Sequence, residues 1–223
     1  TLGGAGTTGQ GSGLGQASSG SFVNATTGNL ILQFNDEQLS GLGQDLYHLR
    51  TYNAQGVIGD DDADGWRWQG ERKVALTGVR NTAGSSVTRT LGDGHQTIYA
   101  WDGMAYTSSE GDGAHDSLSW SAGTSRWVWT DGSTGTVEQY LDTTGRLASV
   151  ADTEGTLITY SYDALGRLAS VKDSSGQELV LNYNTAGKLE RLDTRTTTGG
   201  TLTRQVYYTY DAAGRLSTVS TDL

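Results

Sequence analysis

Tyr162-Asp163-Ala164-Leu165-Gly166-Arg167-Leu168-Ala169-Ser170-Val171 is the stretch whose reading decides the fold. Asp163 is suited to open a turn by accepting backbone N–H groups two residues on, and Gly166 to close it at positive φ without a Cβ penalty. The flanking residues alternate as in strands, so Tyr160 is expected to share a face with Tyr162, and Leu168 with Ser170. Arg167 is expected on the opposite face, its stem over the neighbouring strand and its charge near the turn carboxylate. An exposed pair of that kind contributes roughly 0–1 kcal/mol.

The same unit recurs three more times. Leu141-Asp142-Thr143-Thr144-Gly145-Arg146-Leu147 precedes it, and Tyr183-Asn184-Thr185-Ala186-Gly187-Lys188-Leu189 and Tyr210-Asp211-Ala212-Ala213-Gly214-Arg215-Leu216 follow it, with the glycines 21, 21 and 27 residues apart. A lesser turn lies between units at Asp152-Thr153-Glu154-Gly155 and Asp173-Ser174-Ser175-Gly176. Each unit is therefore two strands and two turns. One such hairpin cannot bury its apolar face alone, so stacked neighbours must do so.

Outside the repeats, Phe22-Val23, Leu30-Ile31-Leu32, Val87 to Thr90, Thr97 to Ala100, Trp127-Val128-Trp129 and Leu157 to Tyr160 also read as strands. The breaks between strands include Thr27-Gly28-Asn29, Asp93-Gly94, Asp102-Gly103, Asp131-Gly132 and Thr144-Gly145, which tolerate positive φ. No segment keeps a 3.6-residue apolar stripe over three turns. The one tempting helix is Asn35 to Leu42, where Asp36 and Glu37 suit a first turn, but Gly41 and Gly43 keep it short. The expected class is all-β.

The pattern of tyrosine and aspartate, two variable residues, Gly-Arg-Leu and an apolar residue three later resembles the YD or Rhs repeat. It runs from Gln139 to Val219 through four units, with Tyr52-Asn53-Ala54-Gln55-Gly56 as a degenerate outlier. Phe22 to Trp68 is similar to the segment that precedes such repeats in large bacterial Rhs proteins. The resemblance implies an open β-hairpin ribbon; in that family the ribbon coils into a hollow shell around a C-terminal toxin, and relatives include insecticidal toxin complexes, wall-associated proteins and teneurins. Four units are far fewer than a closed shell needs, and the family's C-terminal autoproteolysis segment and toxin have no counterpart here.

Composition narrows the chemistry. The 223 residues include no Cys and no Pro, which excludes disulfide scaffolds, zinc knuckles, iron–sulfur sites and thiol nucleophiles. A net charge of −10, with the 15 Lys and Arg scattered singly, argues against nucleic acid and favours divalent cations as partners. No run approaches the roughly 18 apolar residues of a membrane-spanning helix. Apolar content is low at 35%, but 11 Tyr and 6 Trp supply burial that few disordered chains have. The Thr start without a charged n-region points to a removed signal or a piece of a longer polypeptide.

The sharpest constellation of candidate ligands is Asp60-Asp61-Asp62-Ala63-Asp64-Gly65-Trp66-Arg67-Trp68-Gln69-Gly70-Glu71. It fits a calcium loop with Asp60, Asp62, Asp64 and Glu71 as oxygen ligands, the Trp66 carbonyl at position seven, and Gly65 to let the chain wrap the ion. Strand-like flanks set it apart from a helix-flanked loop, and a solvated acidic loop is the competing account. Glu110-Gly111-Asp112-Gly113-Ala114-His115-Asp116 has weaker spacing and reads as a hairpin tip. His48, His95 and His115 sit in no nucleophile or metal motif; adjacent His115, Asp116 and Ser117 do not make a triad, whose groups meet from separate elements. The pairs Trp66 with Trp68 and Trp127 with Trp129 each project to one face, for core packing or as an exposed glycan platform.

The sequence therefore predicts a Gly/Ser-rich leader or added strand over residues 1–20, an N-terminal Rhs-like β region with an acidic calcium-type loop over 21–136, and four YD repeats over 137–223. The expected function is non-enzymatic: a structural ribbon of a secreted or cell-surface bacterial protein, part of a toxin-enclosing shell. The partners expected are the rest of the same polypeptide or further copies of the chain, with calcium as cofactor. Two alternatives stand beside it, an extracellular structural or adhesive protein that assembles into fibres or matrix, and a glycan-binding surface module.

Overall fold

The structure, a computed structural model, describes residues 19–23, 29–41, 43–54, 65–109 and 115–222. It is all-β. A small antiparallel sheet holds β1 (Ser19–Val23), β2 (Leu30–Leu39), β3 (Leu46–Asn53) and β4 (Trp66–Trp68), in that order. After a 3₁₀ turn at Gln69–Glu71 comes a 14-stranded antiparallel sheet in which every strand pairs with its neighbour in sequence. Its first seven strands are β5 (Lys73–Thr77), β6 (Ser86–Thr90), β7 (Gln96–Trp101), β8 (Tyr106–Thr107), β9 (Ser117–Ser121), β10 (Arg126–Thr130) and β11 (Val137–Leu141). The other seven are β12 (Leu147–Ala151), β13 (Leu157–Tyr162), β14 (Leu168–Asp173), β15 (Glu178–Tyr183), β16 (Leu189–Arg195), β17 (Leu202–Tyr210) and β18 (Leu216–Thr221). The sheet crosses residues 136 and 137 without a break; the division between sheets falls at the 3₁₀ turn.

All six stretches expected as strands lie in strands. Of Asn35 to Leu42, Leu42 lies outside the described residues and 35–41 are not helical: β2 extends through Leu39, with a register shift between Asn35 and Glu37 opposite β3. The acids that suit a helix start instead turn inward here. Tyr208 donates to Asp36 Oδ2 at 3.1 Å, Arg50 makes two bonds to the same carboxylate, and Thr194 donates to Glu37 Oε2 at 3.1 Å. Tertiary pairing overrides a weak local propensity.

A long open sheet twists and curls. Here the curl returns β5 to the turn between β11 and β12: Val74 N–H donates to Gly145 O at 2.8 Å and Leu147 N–H to Arg72 O at 3.2 Å. Gly145 is required twice over, since its φ is +68° and a Cβ there would lie 1.9 Å from Val74 O. Inside the curl sit Val87, Tyr99, Tyr106, Leu118, Trp127, Trp129 and Tyr140, all buried.

On the repeat strands one face carries Leu147, Val150, Ile158, Leu168, Val171, Leu179, Leu189, Leu192, Val206 and Tyr208, also buried. The small sheet and the 3₁₀ turn cover part of that face. Trp68 meets Tyr208 edge-on at 5.3 Å, and Gly70 lies so close to Leu168 that a Cβ would approach its Cδ2 to 2.6 Å.

Candidate functional site

The repeat turn is built by its first residue. Asp163 Oδ1 accepts the N–H groups of Leu165 and Arg167, each at 2.9 Å, while Oδ2 accepts from Arg167 Nε at 2.8 Å. Asp211 does the same for Ala213 and Arg215, and Asn184 holds Ala186 and Lys188. Gly166, Gly187 and Gly214 close these turns at φ of +81°, +84° and +77°. The expected placement of the arginine beside the turn carboxylate is found at Arg167 and Arg215.

The expected period of two across the turn is corrected. Tyr162 faces Leu168, while Ser161 faces Ser170, so Ala169 is an extra residue. This β-bulge recurs opposite Tyr140, Tyr183 and Tyr210, where Ala148, Glu190 and Ser217 are the extra residues. It shifts the strand's phase by one, so Leu168 shares the buried face with Val171 rather than with Ser170. In the first unit Tyr140, not Leu141, takes the place opposite the leucine, because its turn is one residue longer: Leu141 N–H bonds Arg146 O, whereas Asp163 N–H bonds Arg167 O.

Successive units are coupled by one repeated contact. The tyrosine of each later unit donates its hydroxyl to the bulge leucine of the unit before: Tyr162 to Leu147 O at 2.7 Å, Tyr183 to Leu168 O at 2.8 Å, and Tyr210 to Leu189 O at 2.9 Å. The cation beside that leucine lies over the same ring, Arg146 at 5.5 Å from the Tyr162 centroid, Arg167 at 4.2 Å from Tyr183, and Lys188 Nζ at 5.1 Å from Tyr210. A hydrogen bond and a cation–π contact thus tie each hairpin to the next.

A buried ionic cluster fixes the curl. Glu138 accepts from Arg72 and from Tyr140, and from Arg89 Nη2 at 2.7 Å; Arg89 also stacks 3.5 Å over Trp129. Burial alone would raise the Glu138 pKa, but the two guanidiniums and the Tyr140 hydroxyl hold it down to about 2. The same burial and the adjacent carboxylate push the Tyr140 phenol up. Glu138 is therefore a fixed anion that pins β11 to β6 and to the residue before β5. Sequence reading missed it, although its spacing of two from Tyr140 put an acid on an apolar face.

The proposed calcium ligands Asp60, Asp62 and Asp64 lie outside the described residues. Trp66 opens β4 and packs against Phe34 and Tyr52, with the Arg50 guanidinium 4.3 Å over its ring. Glu71 Oε2 accepts the Trp68 N–H at 3.2 Å. Among the described residues no three His, Asp or Glu gather as a metal cluster. Trp68, Trp127 and Trp129 are buried, which makes them core. His48 stacks on Trp68 at 4.3 Å, and burial followed by the charge of Arg50 lowers its pKa to about 3. Asp116 accepts from the Tyr99 hydroxyl and from Gly132 N–H, so it orders a core tyrosine rather than His115.

Bulge, turn and coupling repeat together with the sequence unit. Residues 142–178 match the RHS repeat family model. That span starts in the first repeat turn and ends at the first residue of β15. Two crystal structures, TcdB2-TccC3-TEV and TcdB2-TccC3-Cdc42, are similar at 14% and 15% identity with a TM-score of 0.36 for each. The alignments cover 92% of this chain and 11% of those chains, so this chain spans roughly a tenth of their length. No curated protein matches it.

Proposed function

We propose that this chain is a structural, non-enzymatic stretch of RHS-repeat ribbon in a secreted or surface-delivered protein, forming part of a wall that encloses a toxin. The observation that carries the reading is the coupling between units. Each hairpin gives its neighbour the same hydroxyl bond and the same cation over a ring, a design that extends a sheet by addition and suits a wall. The buried carboxylates of Glu138 and Asp36 join one strand to another.

We further propose that Asp60, Asp62 and Asp64, with the Trp66 carbonyl and Glu71, form a calcium loop at the start of the ribbon, on the strength of ligand spacing. Size-exclusion light scattering in millimolar calcium and again in chelator tests both readings. A monomer in both buffers, with a higher melting temperature in calcium that Asp62→Ala with Asp64→Ala abolishes, is the expected result. Regular high-mass species that vanish with chelator would replace the wall by a self-assembling matrix protein.

A further inference from the structure

A small pocket of about 50 Å³ lies where the small sheet meets the repeats. Its floor is aliphatic and comes from three successive repeat strands: Val150 of β12, Ile158 of β13, and Leu168 and Val171 of β14, all buried. The rest of its lining is largely polar. His48 of β3, Gln69 of the 3₁₀ turn and Arg72 contribute to it, together with Tyr47 and Tyr160.

Two atoms of that lining are buried without a hydrogen-bond partner among the described residues, His48 Nε2 and Gln69 Oε1. Both side chains are held in place by other contacts: the His48 ring stacks on Trp68 at 4.3 Å, and Gln69 Nε2 donates to the Tyr47 hydroxyl at 2.5 Å. Neither can turn away to find a partner without breaking those contacts. Buried polar atoms are nearly always paired, with protein or with ordered water. A cavity lined only by aliphatic groups stays dry, whereas one that offers polar partners and more than roughly 10–15 Å³ takes water. This pocket has room for more than one water molecule, yet it is far smaller than the roughly 150 Å³ that accepts a benzene-sized ring.

We propose that this pocket is a hydration site, holding a small internal water cluster that donates to His48 Nε2 and Gln69 Oε1 and accepts from Arg72. The guanidinium orients the cluster, since a cation draws the water oxygens toward itself and leaves hydrogens for the two acceptors. Arg72 at the same time donates to Glu138, so the cluster continues the ionic network that fixes the curl. A donor at Nε2 favours the neutral imidazole, in line with the burial that already disfavours its charge. The water thereby ties β3, the 3₁₀ turn and the residue before β5 together over the repeat leucine and valines, and helps seat the small sheet on the ribbon. The proposal holds whether or not the ribbon encloses a toxin or binds calcium.

Water-to-protein ROE spectroscopy on the full chain tests this without any variant. Cross-peaks of long-lived water are expected at the His48 Hε1 proton and at the methyl groups of Val150, Ile158, Leu168 and Val171. Water-oxygen magnetic relaxation dispersion should count the same molecules. His48→Phe and Gln69→Met each remove one acceptor while nearly keeping side-chain volume, so the dispersion amplitude should fall in each and fall further in the double variant. Absence of the His48 cross-peak from the folded chain, or an amplitude unchanged in the double variant, would overturn the assignment. So would cross-peaks that vanish in Tyr47→Phe combined with Tyr160→Phe, since phenol protons in exchange with bulk water would then be their source.

Discussion

Acid should loosen this molecule through one imidazole before it reaches the carboxylates. His48 is buried, lies flat on Trp68, and its Nε2 has no hydrogen-bond partner among the described residues. Protonation would place a second cation near Arg50 with nothing to receive it, so the folded state keeps the ring neutral down to about pH 3 against 6.5 for the free side chain. The unfolded chain takes up that proton and the folded chain does not, so stability falls as pH drops through 6.5 and goes on falling until about 3. At pH 5, one and a half units below the unfolded value, a slope of about 1.4 kcal/mol per unit gives a loss of about 2 kcal/mol.

Urea unfolding followed by tryptophan fluorescence at pH 7 and pH 5 reads this directly. At an m-value of about 2 kcal/mol/M the midpoint should fall by about 1 M. His48→Phe keeps a ring on Trp68 and removes the titration, so its midpoint should move far less between the two buffers. Comparing the two proteins also cancels Asp36, whose pKa burial raises against the opposing pull of Arg50 and Tyr208. Equal midpoint shifts in both, or an imidazole that titrates near 6.5 by NMR, would refute the reasoning.

Glu138→Ala leaves Arg72 and Arg89 buried without their carboxylate and should cost about 3–5 kcal/mol by urea unfolding. Because Glu138 is held at about 2 against 4.5 unfolded, its share of stability is present above pH 4.5 and lost as pH falls toward 2, a part of the acid limb that Glu138→Gln should lack. Tyr183→Phe should cost about 1 kcal/mol in the same assay while keeping the ring under Arg167. Leu168→Ala should cost about 2–5 kcal/mol, whereas Leu165→Ala, at a turn residue 77% exposed, should stay within about 0.5 kcal/mol.

The all-β class, the turns and the repeat were legible because their physics is local. Asp or Asn at the first turn position and Gly at the last determine the hairpin from a few adjacent residues, and the structure forms it with those residues. The bulge was half legible. Leu168 and Val171 stand three apart, a spacing that a regular strand would split between faces, and only an extra residue brings them to one side. The inward turn of Asp36 and Glu37 was not legible, since their partners Tyr208 and Thr194 come from the far end of the chain. The Glu138 cluster likewise needs Arg72 and Arg89 from segments whose meeting depends on how far the sheet curls.

The anchoring of the small sheet also sets an order of events during synthesis. Asp36 and Glu37 leave the ribosome early, yet their partners Tyr208, Thr194 and Arg204 follow 172, 157 and 167 residues later. Contacts of such span close last, whereas each repeat hairpin needs only its neighbour and can form as it emerges. The flank of β2 around Asp36 and Glu37 therefore waits for these partners until β16 and β17 arrive. Any pause in translation before residue 194 prolongs the interval in which that flank is open to chaperones, proteases or a neighbouring nascent chain.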